Sequence, residues 1–329
     1  MSGWDAETVL ALARNYQECR ILLTGAELDL FTLLARRPMT AAEIAGRCKV
    51  GLRGLTIVLD ALAAMELLSK RDGRYACQPG VAELLAADSP TSVLPMVLHS
   101  ANQWQRWSAL TGIVRGELEA GRHARTPAMQ RAFIEAMHVV ASPLAPEVVT
   151  AVAPGAARAL LDVGGGPGTF TAAFLRACPQ MRGTLFDLPD VIEIARERLA
   201  GAGLLGRVTL VAGDFYADEL PSGHDLALVS AIIHQNSPEQ NLELFCKVYR
   251  ALEPGGRIII RDHVLEADRT RPRRGAVFAI NMLVSTVGGN CYTFDEIRDG
   301  LERAGFERIR LLMRDERMTG LVEAFRPRS

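Results

Sequence analysis

The stretch ALLDVGGGPGTF, residues Ala159–Phe170, decides the fold of this chain. Its first half, Ala159–Val163, is an apolar run typical of a buried parallel strand. Three glycines, Pro167 and Gly168 follow, and Thr169 is placed to cap a helix that starts there. Glycine lets a backbone approach a ligand closely, and the first turn of a helix offers unpaired N–H groups. A strand, a glycine turn and a helix start in this order predict a nucleotide-type pocket.

Downstream of that stretch, apolar runs alternate with helical patterns. The alternation predicts an α/β fold with an open, mostly parallel sheet and helices on both faces. The predicted strands are Ala159–Val163, Gly183–Phe186, Val208–Val211, Leu226–Ser230, Arg257–Arg261, Ile309–Met313 and Thr319–Phe325. Ligands of such sheets bind beyond the carboxyl ends of the strands. Candidate functional residues follow four of these ends, at Asp162–Gly168, Asp187, Gly213–Phe215 and Ser230–His234.

Upstream of the stretch, the chain is predicted to be mostly helical. Thr40 and Glu43 match the capping box of a short helix, a second apolar helix begins near Leu52, and Asp72-Gly73 marks a β-hairpin. Helix, short helix, helix and hairpin is the order of a winged helix. The helix that would read DNA has Arg53 as its only basic residue, whereas DNA readers carry a basic stripe. We therefore expect a dimerisation and lid domain, with a ligand-responsive DNA-binding regulator as the alternative.

The composition is that of an ordinary globular protein, with 49% hydrophobic residues, 23% charged residues and a net charge of −1 over 329 residues. This balance carries no electrostatic signature of nucleic-acid binding. The N-terminus lacks a signal-peptide pattern and no apolar run reaches membrane-spanning length, so we expect a cytoplasmic protein without a membrane partner. The six cysteines form no C-x-x-C pair, so we expect neither disulfides nor a bound metal.

The spacing of the glycines separates the possible nucleotides. Gly164 and Gly166 begin a dinucleotide fingerprint, but Thr169 stands where its third glycine belongs, and no Gly-Lys-Ser/Thr follows to make a phosphate loop. Asp187 lies 23 residues after Gly164, at the end of the second strand, where its carboxylate can accept both hydroxyls of a ribose. The third strand ends in Gly213–Phe215, whose acid and aromatic ring suit an adenine.

These residues resemble the class I S-adenosylmethionine-dependent methyltransferases, in particular O-methyltransferases related to the plant caffeate and hydroxyindole enzymes and to bacterial polyketide and phenazine tailoring enzymes. The GGGPG turn and the phrase ALEPGGRIIIRD (251–262) carry most of the resemblance, which covers nearly the whole chain. It implies a Rossmann-like seven-stranded sheet with an N-terminal all-α/winged-helix dimerisation domain, and a homodimer. The implied domains are a winged-helix dimerisation domain (1–90), a helical linker that lines the substrate pocket (91–155) and a catalytic domain (156–329).

The resemblance also implies a cofactor, S-adenosyl-L-methionine, with S-adenosyl-L-homocysteine as the product. In the implied site, Asp162 lies next to the amino group of the cofactor, and Ser142 closes on its carboxylate. Asp187 holds the ribose, while Ser230 contacts the adenine or the methionine side. The implied cofactor residues are Asp162, Gly164, Gly166, Asp187, Asp214, Phe215, Ser230 and Ser142.

Methyl transfer to a hydroxyl requires alignment of the acceptor and a base that removes its proton. The family places its base just after the fourth strand, where this chain has His234, and Asp262 at the end of the fifth strand is the orienting partner. Plant members continue with Asp-Trp, whereas this chain has Gln235-Asn236. They also place a second acid after Gly-Gly, at or near the position of Cys291. C- or N-methylation, or a relative that uses the cofactor only as a scaffold, are therefore the alternatives.

The acceptor is predicted to be a small aromatic or polyketide-like molecule that carries a hydroxyl. Its pocket is expected between the linker helices and the apolar helix 276–284. Methionine and phenylalanine are adaptable packing groups that suit a flat, apolar acceptor. The predicted lining residues are His99, Phe133, Met137, Met282 and Thr286.

Overall fold

The chain folds as two units, which meet in sequence between Trp104 and Gln105. The structure is a computed structural model that describes residues 3–121 and 127–328. Its division falls inside the segment 91–155 that the sequence assigns to a linker, and the three predicted domain boundaries stay a prediction.

The first unit contains helices and a small sheet. Its elements are α1 (Ala6–Arg14), α2 (Tyr16–Glu27), α3 (Leu30–Arg36), β1 (Met39–Thr40), α4 (Ala41–Cys48), α5 (Leu52–Ala64), β2 (Leu68–Arg71), β3 (Arg74–Cys77), α6 (Pro79–Leu85) and most of α7 (Leu94–Ser108). The predicted capping box is present, because the Thr40 side chain accepts from the Glu43 N–H and Glu43 accepts from the Thr40 N–H. The winged-helix order of α4, α5 and the β2–β3 hairpin is confirmed.

The second unit alternates strands and helices after two linker helices. Its elements are α8 (Leu110–Val114), α9 (Pro127–Ala141), α10 (Ala145–Val152), β4 (Ala159–Val163), α11 (Thr169–Ala177), β5 (Arg182–Asp187), α12 (Pro189–Gly201), β6 (Val208–Ala212), β7 (His224–Ser230), α13 (Pro238–Ala251), β8 (Leu252–Asp262), β9 (Val264–Leu265), α14 (Arg273–Ser285), β10 (Tyr292–Thr293), α15 (Phe294–Arg303), β11 (Glu307–Met313) and β12 (Gly320–Phe325). Short 3₁₀ turns cover Leu205–Arg207 and Ile233–Gln235.

Seven strands form one sheet in the order β11-β12-β8-β7-β4-β5-β6. The strands β4 to β8 are parallel, and β12 pairs antiparallel with both β8 and β11. The chain runs outward from β4 through β5 to β6 and then returns to β7 on the other side of β4. The order therefore reverses between β4 and β7, which is where open α/β sheets bind their ligands. The predicted α/β class is confirmed.

The two faces of the sheet belong to different cores. Leu161, Val163 and Ile260 pack on the face covered by α13 and α15. Leu160, Leu228 and Ile259 pack on the face covered by α10, α11 and α12. Side chains alternate along a strand, so the face that carries Leu160, Leu228 and Ile259 also carries, two residues later, Asp162, Ser230 and Arg261. We call the face of the sheet covered by α10, α11 and α12 the α11 face.

The prediction that Thr169 caps the helix after the glycine turn is wrong. Gly168 occupies the cap position with a φ of +75°, and Thr169 is the first residue of α11. The Thr169 hydroxyl instead lies 2.8 Å from Nδ1 of His138 on α9. This hydrogen bond connects the C-terminal part of α9 to the first turn of α11.

Within the described residues, no single helix has both the length and the apolar character needed to cross a membrane. One pair, Met129–Ala141 and Ala145–Val152, passes that test together by length and composition, but it is bent by 61°.

Candidate active site

The glycine turn after β4 is shaped by its neighbours on one side and open on the other. The Gly164 N–H donates to the Phe186 carbonyl at 2.8 Å. Gly164 has a φ of +63°, and a side chain there would come within 2.6 Å of Ile232. Gly166 has a φ of +55°, and a side chain there would meet nothing within 4 Å. The turn therefore needs glycine for its conformation at both positions and leaves space beside Gly166.

Asp162 is a buried carboxylate with one free oxygen. Its Oδ2 accepts from the Thr171 hydroxyl on α11 at 2.6 Å. Its Oδ1 has no hydrogen-bond partner, although the residue is only 1% exposed. Burial raises the pKa of Asp162 to about 6, and the charge of Asp187 adds to this, while the Thr171 bond opposes it. Among the described residues, this oxygen therefore lacks a hydrogen-bond donor.

Asp187 connects the end of β5 to the glycine turn. One oxygen accepts from the Gly166 N–H at 2.7 Å and the other from the Leu188 N–H at 2.7 Å. Burial raises the pKa of this carboxyl, and the two backbone donors oppose the rise. Each oxygen keeps a further acceptor position, so the carboxylate is oriented but still able to bind hydroxyls.

The loop after β6 brings an aromatic ring to the turn. A side chain at Gly164 would lie 3.6 Å from the Phe215 ring, so this ring lies beside the glycine. Asp214 accepts from the Tyr216 N–H at 2.9 Å, and Lys247 donates to the Phe215 carbonyl at 2.8 Å. The described structure thus places Asp162, Asp187 and Phe215 around one turn, and their roles in cofactor binding stay a prediction.

Ser142 and Ser230 occupy two other positions near the start of α11. The Ser142 hydroxyl lies 3.2 Å from the ring nitrogens of His138, which in turn contacts Thr169. The Ser230 hydroxyl accepts from the Arg261 guanidinium at 3.0 Å. Both hydroxyls therefore already have partners within the protein.

His234 and Asp262 lie together where β7 and β8 end. Nδ1 of His234 is 2.9 Å from each oxygen of Asp262. The imidazole is 12% exposed, whereas the carboxylate is 1% exposed. Phe278 on α14 packs its ring edgewise against the imidazole, with the ring centres 5.0 Å apart. This pair lies on the sheet face opposite to Asp162, since Asp262 follows Ile258 and Ile260 in the strand alternation.

The environment of Asp262 keeps it ionised. Burial by itself would raise the pKa of this carboxyl, but the attraction and hydrogen bonds of His234 together with the His263 N–H hold it below the ordinary value. The neighbouring His263 is also buried, and burial lowers its pKa to about 4. Cys291 is fully buried, and its burial, together with the charge of Asp262, raises the pKa of the thiol. The thiol therefore stays protonated and does not replace a carboxylate.

A buried amide network holds the turn that carries His234. The Asn236 side chain accepts from the Tyr216 hydroxyl at 2.5 Å and donates to Asn241 at 3.0 Å, and Asn241 donates to the Ile233 carbonyl at 3.0 Å. The Tyr292 hydroxyl donates to the Asn236 carbonyl at 2.5 Å. Four segments meet here: the loop after β6, the turn with His234, helix α13 and the strand after Cys291.

The predicted acceptor residues are spread over several elements. Phe133 on α9 packs against a cluster that includes Val191 on α12. Met137 lies one turn further along α9 and is half-buried. Met282 and Thr286 are buried near the end of α14, where the Thr286 hydroxyl donates to the Met282 carbonyl at 2.8 Å. His99 belongs to the first unit. Their role in acceptor binding stays a prediction.

Three residues that contact this site are absent from the residues predicted from the sequence. Thr171 binds Asp162, Phe278 packs on His234, and Arg261 binds Ser230. The signal for Thr171 was present, because a hydroxyl two residues into a helix after the turn faces back to the strand. The strand period alone would also have placed Arg261 on the same face as Asp162.

Comparison with known families gives this site its chemical context. Residues 94–307 match the O-methyltransferase domain, and residues 10–88 match the O-methyltransferase dimerisation domain. The chain belongs to the O-methyltransferase family. It is an S-adenosylmethionine-dependent methyltransferase with a family dimerisation domain at its N-terminus.

Relatives align over almost the full length of the methyltransferase chain. It is 34% identical to 3-hydroxy-5-methyl-1-naphthoate 3-O-methyltransferase of Streptomyces sahachiroi, over 91% of this chain and 89% of the relative. It is 28% identical to the N,N-dimethyltransferase OxyT of Streptomyces rimosus, over 98% and 97%. The solved structure of PigF with SAH superposes with a TM-score of 0.86 at 26% identity, covering 98% of this chain and 100% of that one.

The described residues fit the cofactor of this family. The Asp162 oxygen that has no partner among the described residues can accept from the ammonium group of S-adenosylmethionine. The carboxylate of Asp187 is oriented by two backbone donors and keeps acceptor positions for the hydroxyls of a ribose.

Proposed function

We propose that this methyltransferase acts on a hydroxyl group of a small aromatic or polyketide-like acceptor, with His234 as the base. The observation that carries the proposal is the bond between His234 and Asp262 at the carboxyl ends of β7 and β8. A base at this position lies at the same edge of the sheet as the glycine turn, where the ligands of such sheets bind.

Asp262 determines what His234 can do. An ionised carboxylate only accepts hydrogen bonds, so Nδ1 of His234 carries the proton and donates it to Asp262. Nε2 is then left with a lone pair and can take the proton of an acceptor hydroxyl. The buried negative charge also stabilises the imidazolium that results. Phe278 fixes the ring from the side, so the base stays in one orientation.

The cofactor supplies an electrophilic methyl group bound to a sulfonium. We assign its contacts to the residues around the glycine turn. Asp162 contacts the ammonium group, Gly164 and Gly166 the methionine portion, and Asp187 the ribose. Asp214 and Phe215 contact the adenine, Ser142 the carboxylate, and Ser230 the adenine or the methionine side. The support for these roles is the unpartnered Asp162 oxygen and the convergence of Asp187 and Phe215 on one turn.

The aromatic acceptor is supported by the Streptomyces sahachiroi relative, whose name states transfer to a naphthoate hydroxyl. Nitrogen is the competing acceptor atom, because OxyT is an N,N-dimethyltransferase and because Cys291 stands where the family has its second acid. A hydroxyl needs a base far more than a neutral amine does, and the ordered His234–Asp262 pair therefore favours oxygen.

The active form is proposed to be a homodimer. Helix α1 buries none of its residues within the chain, yet it exposes Val9, Leu10 and Leu12 together with the nearby Trp4. An apolar helix of this kind needs a cover, and the dimerisation domain starts at residue 10. The winged helix offers little to DNA, since Asp60 on α5 is paired with Lys70 of the hairpin at 2.6 Å. Light scattering of the purified protein should give twice the chain mass, and a monomer would refute this assignment.

The test of the acceptor class is a mass-spectrometric screen with S-adenosylmethionine and a panel of phenols, hydroxynaphthoates, quinols and aromatic amines. We expect products that gain one CH₂ on oxygen, located by fragmentation. The matched control is His224→Asn, which removes a buried histidine from the opposite end of β7, where it contacts Thr184. Turnover should persist in that variant and fall in His234→Asn. Products methylated only on nitrogen or carbon would contradict the proposal.

A further inference from the structure

Arg261 is a buried cation without a counter-charge in contact. The residue is 3% exposed, its Nη1 donates to Ser230 at 3.0 Å, and its guanidinium stacks on the Phe170 ring at 4.7 Å. Its Nε has no hydrogen-bond partner, and no carboxylate of the described residues is ion-paired with it. Burial lowers the pKa of Arg261 to about 10, against the longer-range attraction of Asp262 and Asp315. A charge in this position calls for an anion.

A second arginine on the same strand, Arg257, has the carboxylate partner that Arg261 lacks among the described residues. Arg257 lies four residues earlier on the same face of β8. It forms a close ion pair with the buried Glu323 at 2.5 Å and donates to the Ala153 carbonyl at 2.8 Å. The protein therefore neutralises a partly buried arginine in the middle of β8 and leaves a fully buried one, at the carboxyl end, without a paired carboxylate.

The strand register places Arg261 level with the glycine turn. Ser230 pairs with Arg261, and Val229 pairs with Val163, the residue before Gly164. Only β7 separates β8 from β4, so the two backbones are roughly 10 Å apart at about 5 Å per strand. Because Arg261 donates to Ser230 on β7, its guanidinium lies over β7, about half-way from the β8 backbone to the β4 backbone.

The first turn of α11 lies between two opposite charges on this face. Thr171 contacts Asp162, and Phe170 contacts Arg261. Asp162 has an unpartnered oxygen and Arg261 an unpartnered nitrogen. A single ligand that complements both carries a cation and an anion, as an amino acid does with its α-ammonium and α-carboxylate groups.

We propose that Arg261, held by Ser230, binds the α-carboxylate of the cofactor while Asp162 binds its α-ammonium group. The inference rests on the proposed position of the cofactor at the glycine turn and adds a residue to it. Ser142 contributes only a hydroxyl to the carboxylate, whereas Arg261 contributes the charge. The planar fork of a guanidinium also matches the two oxygens of a carboxylate.

The test compares two ligands that differ only in the carboxylate. S-adenosylhomocysteine and its decarboxylated analogue are titrated calorimetrically into the full-length protein. The wild type should bind S-adenosylhomocysteine at least tenfold more tightly. In Arg261→Met that preference should disappear, because affinity for S-adenosylhomocysteine falls while affinity for the analogue stays constant or rises. Arg261→Lys keeps the charge and should retain part of the preference.

Arg257→Met is the matched control, since it also removes an arginine, here a partly buried one, from the α11 face of β8. It should lower thermal stability but leave the preference at its wild-type value. Equal affinity of the wild type for both ligands would overturn the proposal without any variant, so it stays testable if Arg261→Met does not fold. An unchanged preference in Arg261→Met would also overturn it. None of these readouts requires methyl transfer, so an error in the assigned acceptor or base would leave them unaffected.

Discussion

Nδ1 of His234 lies 2.9 Å from both oxygens of Asp262, and the two residues come from the ends of neighbouring parallel strands. The backbone N–H of His263 also donates to Asp262 at 2.8 Å. The carboxylate is therefore fixed by its own strand and in turn fixes the imidazole. This relationship turns a histidine on a short 3₁₀ turn into a base with a defined free nitrogen.

Asp262→Asn should lower turnover by about 10²- to 10⁴-fold, the range that a positioned base contributes. An amide can donate to Nδ1, which would move the proton of His234 to Nε2 and leave no lone pair for the acceptor. The dissociation constant of S-adenosylhomocysteine should change by less than threefold, because Asp262 is on the opposite sheet face from Asp162. Steady-state kinetics and calorimetry measure the two effects. A loss of cofactor binding that matches the loss of turnover would show that Asp262 is structural.

Asp187→Ala should weaken S-adenosylhomocysteine binding by at least tenfold. The substitution removes the oriented acceptor for the ribose hydroxyls and also releases the Gly166 N–H. Asp190→Ala is the matched control, because Asp190 is an exposed acid three residues further on, at the start of α12. Calorimetry on both variants compares them directly. Equal affinities for the two variants would remove Asp187 from the site.

Cofactor affinity should fall as the pH decreases through about 6, the value to which burial raises the pKa of Asp162. Below that pH the free protein holds Asp162 neutral, and a cationic ligand must displace its proton. Above it the carboxylate is charged and affinity reaches a plateau. Calorimetry with S-adenosylhomocysteine at pH 5, 6 and 7.5 checks this. Asp162→Asn should bind weakly and with a flatter profile, which separates Asp162 from Asp187, whose pKa burial also raises. An unchanged profile in that variant would contradict the role.

The same raised pKa has an opposite consequence for the protein without ligand. A carboxyl whose pKa is higher in the folded state than in the unfolded state stabilises the fold at low pH and loses that contribution as the pH rises through about 6. Asp162→Asn should therefore raise the melting temperature of the ligand-free protein more at pH 8 than at pH 5, because at pH 5 the contribution is only partly lost. Calorimetric melting at both values tests the sign, and a lower melting temperature at pH 8 would refute it.

Cys291 should be chemically inert in the folded protein. Its thiol is fully buried, and burial beside Asp262 raises its pKa, so the reactive thiolate does not form at neutral pH. Iodoacetamide at pH 8 should label it only after unfolding, as peptide mass spectrometry will show, and Cys291→Ala should keep turnover within a few fold. Rapid labelling of the folded protein, or a large loss of turnover in Cys291→Ala, would assign the thiol a chemical role.

The sequence was sufficient for the architecture because the fold depends on local patterns. The apolar runs place the strands, and the glycine turn after Val163 places the switch point. Asp187 could be selected because its spacing from Gly164 reflects one helix and one strand of fixed length. The pairing of His234 with Asp262 could be predicted only from the family resemblance, because local sequence patterns do not show which strand ends are neighbours in the sheet.

The contacts that depend on three-dimensional packing could not be predicted in this way. Asn236 replaces the family tryptophan, and its role in a buried network depends on Tyr216 and Tyr292, which lie 20 residues before and 56 residues after it. The sequence does not show which arginine of β8 pairs with Glu323. Only the structure shows that Arg257 forms this ion pair and that Arg261 has no carboxylate partner among the described residues. Thr169 was predicted to cap α11, but Gly168 can adopt the left-handed conformation that this sharp turn requires.

If His234 removes the proton of an acceptor hydroxyl, its loss must change how the rate of methyl transfer depends on pH. Single-turnover rates are measured for wild type and His234→Asn between pH 6 and 9 with a phenolic acceptor, whose own pKa is about 10. The wild type should exceed the variant by at least about 10²-fold at pH 7. The variant should then recover nearly tenfold with each pH unit, because the acceptor ionises without help. Equal rates and equal pH profiles for the two proteins would contradict the claim.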